Sequence, residues 1–181
     1  SGYFDGSGDY LYYGANSAFA FGTGNFTVEF FVYTTSTASQ MIYDTIQPGI
    51  SGGGSNRFYV HTNTSQQIVV GPATSTLTTT GTITLGAWNH IAVVRNGSTR
   101  TVYINGVSAG SDTFSGDLSS GYASVGFDRA SGGSIILNGY LSNLRAVKGT
   151  AVYTSTFTPP TAPLTAISGT SLLVCQSAAF T

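Results

Sequence analysis

Asn25-Phe26-Thr27-Val28-Glu29-Phe30-Phe31-Val32-Tyr33 alternates without a break, with Phe26, Val28, Phe30 and Val32 on one side of an extended chain and Thr27, Glu29, Phe31 and Tyr33 on the other. A period of two carried by bulky apolar residues predicts a strand buried on at least one face. Working outward, the same signal recurs at 2–5, 10–13, 41–46, 57–62, 67–70, 76–85, 88–95, 99–105, 107–111, 123–128, 135–137, 139–147 and 171–176. Helical periodicity is not evident. Asn96-Gly97 and Asn105-Gly106 stand between β-rich runs and supply the positive φ that tight hairpin turns require, so Trp88 to Ser111 reads as an antiparallel meander. Residues 47–56, with Pro48 and Gly52-Gly53-Gly54, read as a mobile loop. Pro159, Pro160 and Pro163 bar a central strand, so residues 158–170 are expected to wrap the outside before a closing strand at 171–176.

Composition points the same way. Only 7% of the 181 residues are charged, against about 25% in ordinary globular domains, and there is a single Glu (Glu29) and a single Lys (Lys148). Exposed helix faces need such residues, whereas a β surface can be solvated by Ser, Thr, Asn and Tyr. Hydrophobic residues at 41% and aromatics at 13% suffice for a core. The expected fold class is therefore all-β, an antiparallel two-sheet sandwich or jelly roll formed as one domain over 1–181. A net charge of −1, with six basic residues spread along the chain, argues against nucleic-acid binding. No apolar run is long enough for a membrane-spanning helix, so no membrane insertion is expected, and Ser1 to Asp9 lacks the pattern of a signal peptide. Cys175 stands alone, which rules out an intrachain disulfide and fits assembly in a reducing cytoplasm.

The runs 3–11 (YFDGSGDYL), 26–32 (FTVEFFV), 88–95 (WNHIAVVR) and 103–106 (YING) together resemble concanavalin A-like, laminin-G-like domains over almost the whole chain. The tail 139–145 (GYLSNLR), 148–153 (KGTAVY) and 157–160 (FTPP) looks like the version found in bacteriophage virion proteins. Phe31 stands where the family usually has Trp, a change of core volume rather than chemistry. The resemblance implies a concanavalin A-like jelly roll serving as a virion surface domain in a capsid decoration, head fibre or tail fibre. Such a domain would bind host cell-surface glycan or pack against other virion proteins or identical subunits. It also allows Ca²⁺ at a loop rim, with no cofactor strictly required. Asp128 and Asp44 are the preferred ligands, although the Asp-x-Asx-x-Asx-Gly loop is missing. The alternatives are a purely structural assembly domain without sugar binding and, less favoured, a glycoside hydrolase.

Glycoside hydrolysis needs two carboxylates about 5–9 Å apart. Glu29 has only Thr27 and Phe31 at the flanking same-face positions, so it reads as a structural acid paired with Arg145 or His90. Gly49–Gly53 and Gly106–Gly110 match the G-x-S-x-G pattern but lack the strand-to-helix elbow that gives it meaning. Trp88 and His90 share a face of one strand, and His90 reads as a core or hydrogen-bonding residue. Arg57, Tyr59 and His61 share the opposite face to Phe58 and Val60. With Asn63 they offer a ring for a sugar's C–H face and donors for its hydroxyls, so these four are the candidate ligand residues. Tyr10, Tyr12, Tyr13, Tyr122, Tyr140 and Tyr153 are the tyrosines available to an interface.

Overall fold

A computed structural model of the chain describes residues 1–46, 54–130 and 132–176. Two antiparallel sheets stack as a sandwich. The first holds β1 (Gly2–Asp5), β3 (Phe26–Tyr33), β8 (Trp88–Asn96), β9 (Thr99–Ile104), β10 (Val107–Thr113), β12 (Asn138–Lys148) and β13 (Thr170–Val174). Its order is β1-β12-β3-β8-β9-β10, and β13 pairs with the far end of β12. The second has β2 (Leu11–Tyr13), β4 (Gln40–Asp44), β5 (Tyr59–Thr62), β6 (Gln67–Val70), β7 (Leu77–Thr82) and β11 (Ala123–Val125), in the order β2-β11-β4-β5-β6-β7. The sandwich expected from the sequence is the one observed.

Between the sheets, Phe26, Val28, Phe30 and Val32 of β3 meet Ile42, Phe58, Val60, Ile68 and Val125 in one core. The other side of β3 is buried as well, with Thr27 and Glu29 fully enclosed. Residues 149–169 contain no strand, and Ala151, Tyr153 and Phe157 lie over Ala92, Val94 and Tyr103 on the outer face of the first sheet. This strap is pinned at the β9–β10 turn, where the Phe157 N–H donates to the Gly106 carbonyl at 3.0 Å. The turn is the two-residue loop Asn105-Gly106 with φ of 51° and 80°, the left-handed pair that Asn-Gly supplies.

Three expectations shift. The β8–β9 loop is Gly97-Ser98, because Asn96 still pairs with Thr99. Residues 135–137 form only a bridge between Phe127 and Ile136, since Ile135 folds back over the second sheet onto Met41, Tyr59 and Val69. The expected loop at 47–56, and the Gly49–Gly53 motif within it, fall largely outside the described residues.

Candidate functional site

The outer face of the first sheet carries three rows of side chains set by strand register. Tyr3 pairs with Tyr140, Tyr140 with Tyr33, and Tyr33 with Trp88, so four aromatic rings from β1, β12, β3 and β8 fall on one line. Ring centroids are 4.9 Å apart for Tyr3 and Tyr140, 6.0 Å for Tyr33 and Tyr140, and 5.8 Å for Tyr33 and Trp88. The strap leaves this row open: Tyr3 is 58% exposed and Tyr140 42%. The next row holds Ser142, Phe31 and His90, and the third Arg145, Glu29 and Ala92, both largely beneath the strap.

Where the open row meets the strap there is a cavity of about 540 Å³, lined by Phe31, Trp88, His90, Asn105 and residues 158–161. A second depression of about 290 Å³ is lined by Ser1, Tyr33, Trp88 and Tyr140. Trp88 borders both, and among the described residues no Asp, Glu, Lys or Arg side chain lines either one. Flat rings beside Asn and Thr side chains give an apolar platform flanked by hydrogen-bonding groups.

Glu29 lies two rows along the strands from this platform, beneath the strap, and is fully buried. Arg145 Nε donates to its Oε1 at 2.9 Å and Nη2 to the same oxygen at 2.5 Å. Tyr153 Oη donates to Oε2 at 2.8 Å, and His90 Nε2 lies 3.2 Å from Oε2. Burial alone would push this carboxyl up. The hydrogen bonds from His90, Arg145 and Tyr153, with the arginine charge, outweigh it and hold Glu29 below the usual carboxylate range. Burial and the neighbouring carboxylate together raise the Tyr153 phenol. Both partners expected of Glu29 are thus present, together with Tyr153.

The four candidate ligand residues fare differently. Arg57 and Tyr59 are 7% and 8% exposed, and the guanidinium lies 4.7 Å from the Tyr59 ring centre. Tyr59 is covered by Ile135, and Asn63 spends its amide on its own turn, accepting from Ser65 N and Gln67 N and donating to Gln67 Oε1. His61 is half-buried, its Nδ1 2.9 Å from the Thr62 carbonyl, and burial lowers its pKa. Alternation running from Arg57 into β5 puts Arg57, Tyr59 and His61 on one face, but the segment around Ile135 closes most of it. Sequence reasoning missed Tyr3, Tyr33 and Trp88 as surface residues. Their only signal is a strand register between distant segments.

Asp44 and Asp128, the candidate metal ligands, do come together, but on Arg57. Arg57 Nε donates to Asp44 Oδ1 at 2.7 Å, and Nη2 donates to Asp44 Oδ2 at 2.9 Å and to Asp128 Oδ1 at 2.7 Å. Calcium requires about 6–8 oxygen ligands at roughly 2.3–2.6 Å. Here the carboxylates converge on guanidinium nitrogens, so the pair does not fit the ion. Among the described residues there is no group of three or more His, Cys, Asp or Glu placed to hold a metal.

Of the seven carboxylates, Glu29, Asp44, Asp112 and Asp128 are each bound to an arginine. A family model described as the concanavalin A-like lectin/glucanases superfamily matches residues 5–159. No protein with a curated description is similar enough in sequence to count as a match. Among solved structures, a candidate carbohydrate-binding protein from Bacteroides ovatus superposes with a TM-score of 0.64 at 13% identity, covering 92% of this chain and 49% of its own. The CBM40 of the Ruminococcus gnavus IT-sialidase bound to α2,3-sialyllactose gives 0.56 at 14% identity, covering 73% and 79%. Domain 4 of AbnA, an extracellular arabinanase from Geobacillus stearothermophilus, in complex with arabinotriose gives 0.54 at 17% identity, covering 72% and 64%. The chain spans about half the length of the Bacteroides protein.

Proposed function

The chain belongs to the concanavalin A-like lectin/glucanases superfamily, and from that premise we propose that it is a non-catalytic module that binds neutral glycan across the Tyr3-Tyr140-Tyr33-Trp88 row. The single observation that carries the reading is this open line of four rings ending at a cavity. Neighbouring strands are about 4.8 Å apart, an advance of the same order as one sugar along an extended oligosaccharide, so successive rings can meet successive residues. A lining without ionised side chains favours uncharged sugars, whose hydroxyls Asn105, Thr158 and Thr161 can address. Glu29, enclosed beneath the strap on the same sheet face, is held by three partners and serves the fold rather than a reaction.

The finer setting, a surface domain of a bacteriophage particle that engages host glycan, rests on the resemblance of residues 139–160 and on a surface poor in charge. A neutral-oligosaccharide array probed with wild type, Trp88→Ala and Tyr140→Ala tests the binding reading. Each truncation is expected to weaken binding about tenfold or more while the melting temperature of Tyr140→Ala holds. An array blank for the wild type, with incorporation into particles retained, favours the assembly role instead. Cleavage of a bound polysaccharide that Glu29→Gln abolishes would return the chain to the enzymes of the superfamily.

A further inference from the structure

Three separate segments meet at Arg57: the end of β4 with Asp44, the approach to β5 with Arg57 itself, and the turn after β11 with Asp128. Their side chains are 0%, 9% and 7% exposed. Two carboxylates buried this deeply repel each other and require a cation between them. The guanidinium meets both oxygens of Asp44 and one of Asp128. Backbone N–H groups of Ile46 and Ala130 complete Asp44 Oδ1 and Asp128 Oδ1. Tyr59 supplies a ring face for the same cation.

We propose that Arg57 is the resident cation of this rim, standing in for a divalent ion, so that the domain folds without metal. The fork shape of the guanidinium matters as much as its charge, because one planar group must satisfy carboxylates arriving from two directions. The inference stands on this rim alone and does not depend on what the aromatic row binds. It has a corollary: with the guanidinium removed, Asp44 and Asp128 face each other uncompensated, and an added divalent ion takes the vacated position.

The test is thermal unfolding of wild type, Arg57→Lys and Arg57→Gln, each with chelator and with millimolar calcium, alongside calcium titration calorimetry. Wild type is expected to melt at the same temperature in both conditions and to show no calcium binding heat. Arg57→Lys keeps a cation and should be less stable but equally indifferent to calcium. Arg57→Gln should lose stability in chelator and recover roughly 5 °C or more once calcium reaches about a hundredfold over its dissociation constant. A wild-type protein that binds calcium or is stabilised by it overturns the proposal. So does an Arg57→Gln variant that folds but ignores calcium. If Arg57→Gln fails to fold in chelator, refolding it in calcium decides the same question, with recovery supporting the proposal and failure opposing it.

Discussion

Glu29 and Arg57 are both buried ions, yet the sequence exposes them unequally. Glu29 is the only glutamate, and it lies on a strand whose alternation fixes its face, so Arg145 and His90 follow as partners from the neighbouring strands. Asp44, Arg57 and Asp128 were each visible as polar residues, but nothing linear indicates that the first and third close on the second. Removing one member of a buried ion pair strands the other, so Glu29→Gln should cost about 3–5 kcal/mol, read by denaturant unfolding at neutral pH. The pH dependence has a definite sign. A carboxyl held below its ordinary value of 4.5 stabilises the fold above that pH, and the contribution fades as the pH falls through the lower, folded-state value. The stability gap between wild type and Glu29→Gln should therefore be full at pH 7 and shrink progressively below about pH 4.5, and a gap constant down to pH 3 would contradict the assignment.

At the level of elements, the strands were legible and the layers over them were not. Period-two alternation marks β3 and β8 because one face of each must meet the core. The strap over 149–169 and the fold-back around Ile135 carry no such period, and they decide which outward faces stay open. That is why β5 reads as a ligand face in sequence and is closed in the fold, whereas the aromatic row, assembled from positions as far apart as Tyr3 and Tyr140, has no linear signature. The strap's anchor can be tested at two glycines. Gly97 and Gly106 both have positive φ, but a Cβ at Gly97 meets open space while one at Gly106 would collide with the Phe157 carbonyl oxygen. Gly97→Ala should cost about 1 kcal/mol, the price of the backbone alone. Gly106→Ala should cost roughly 2–3 kcal/mol or more and speed amide exchange at Phe157, because the strap must shift. Equal costs at the two sites would show that the strap is not pinned at this turn.

Across the whole molecule, the few charges are largely spent inside the fold. Arg57 and Arg145 hold carboxylates, Arg100 holds Asp112 and two backbone carbonyls, and Arg95 donates to the carbonyls of Gly97, Gly22 and Gly116. Outside, only Asp5, Asp9, Asp117 and Lys148 among the described residues are exposed charged side chains, set among hydroxyls, amides and rings, so the long-range field is weak. Glycan affinity should therefore change less than about twofold between low salt and ~0.5 M, where the Debye length is under about 5 Å. A steep loss would show instead that an ionic contact dominates, with exposed Asp5, two residues from Tyr3 on β1, the nearest carboxylate along that strand.

Trp88 is the only tryptophan in the chain and borders both depressions of the aromatic row. Its emission during titration with a neutral oligosaccharide is thus a direct report from the site. A saturable shift or quench whose midpoint matches the calorimetric dissociation constant, and which weakens about tenfold in Tyr140→Ala, is the predicted result. Calorimetric binding with Trp88 emission unchanged would place the sugar elsewhere and contradict the account.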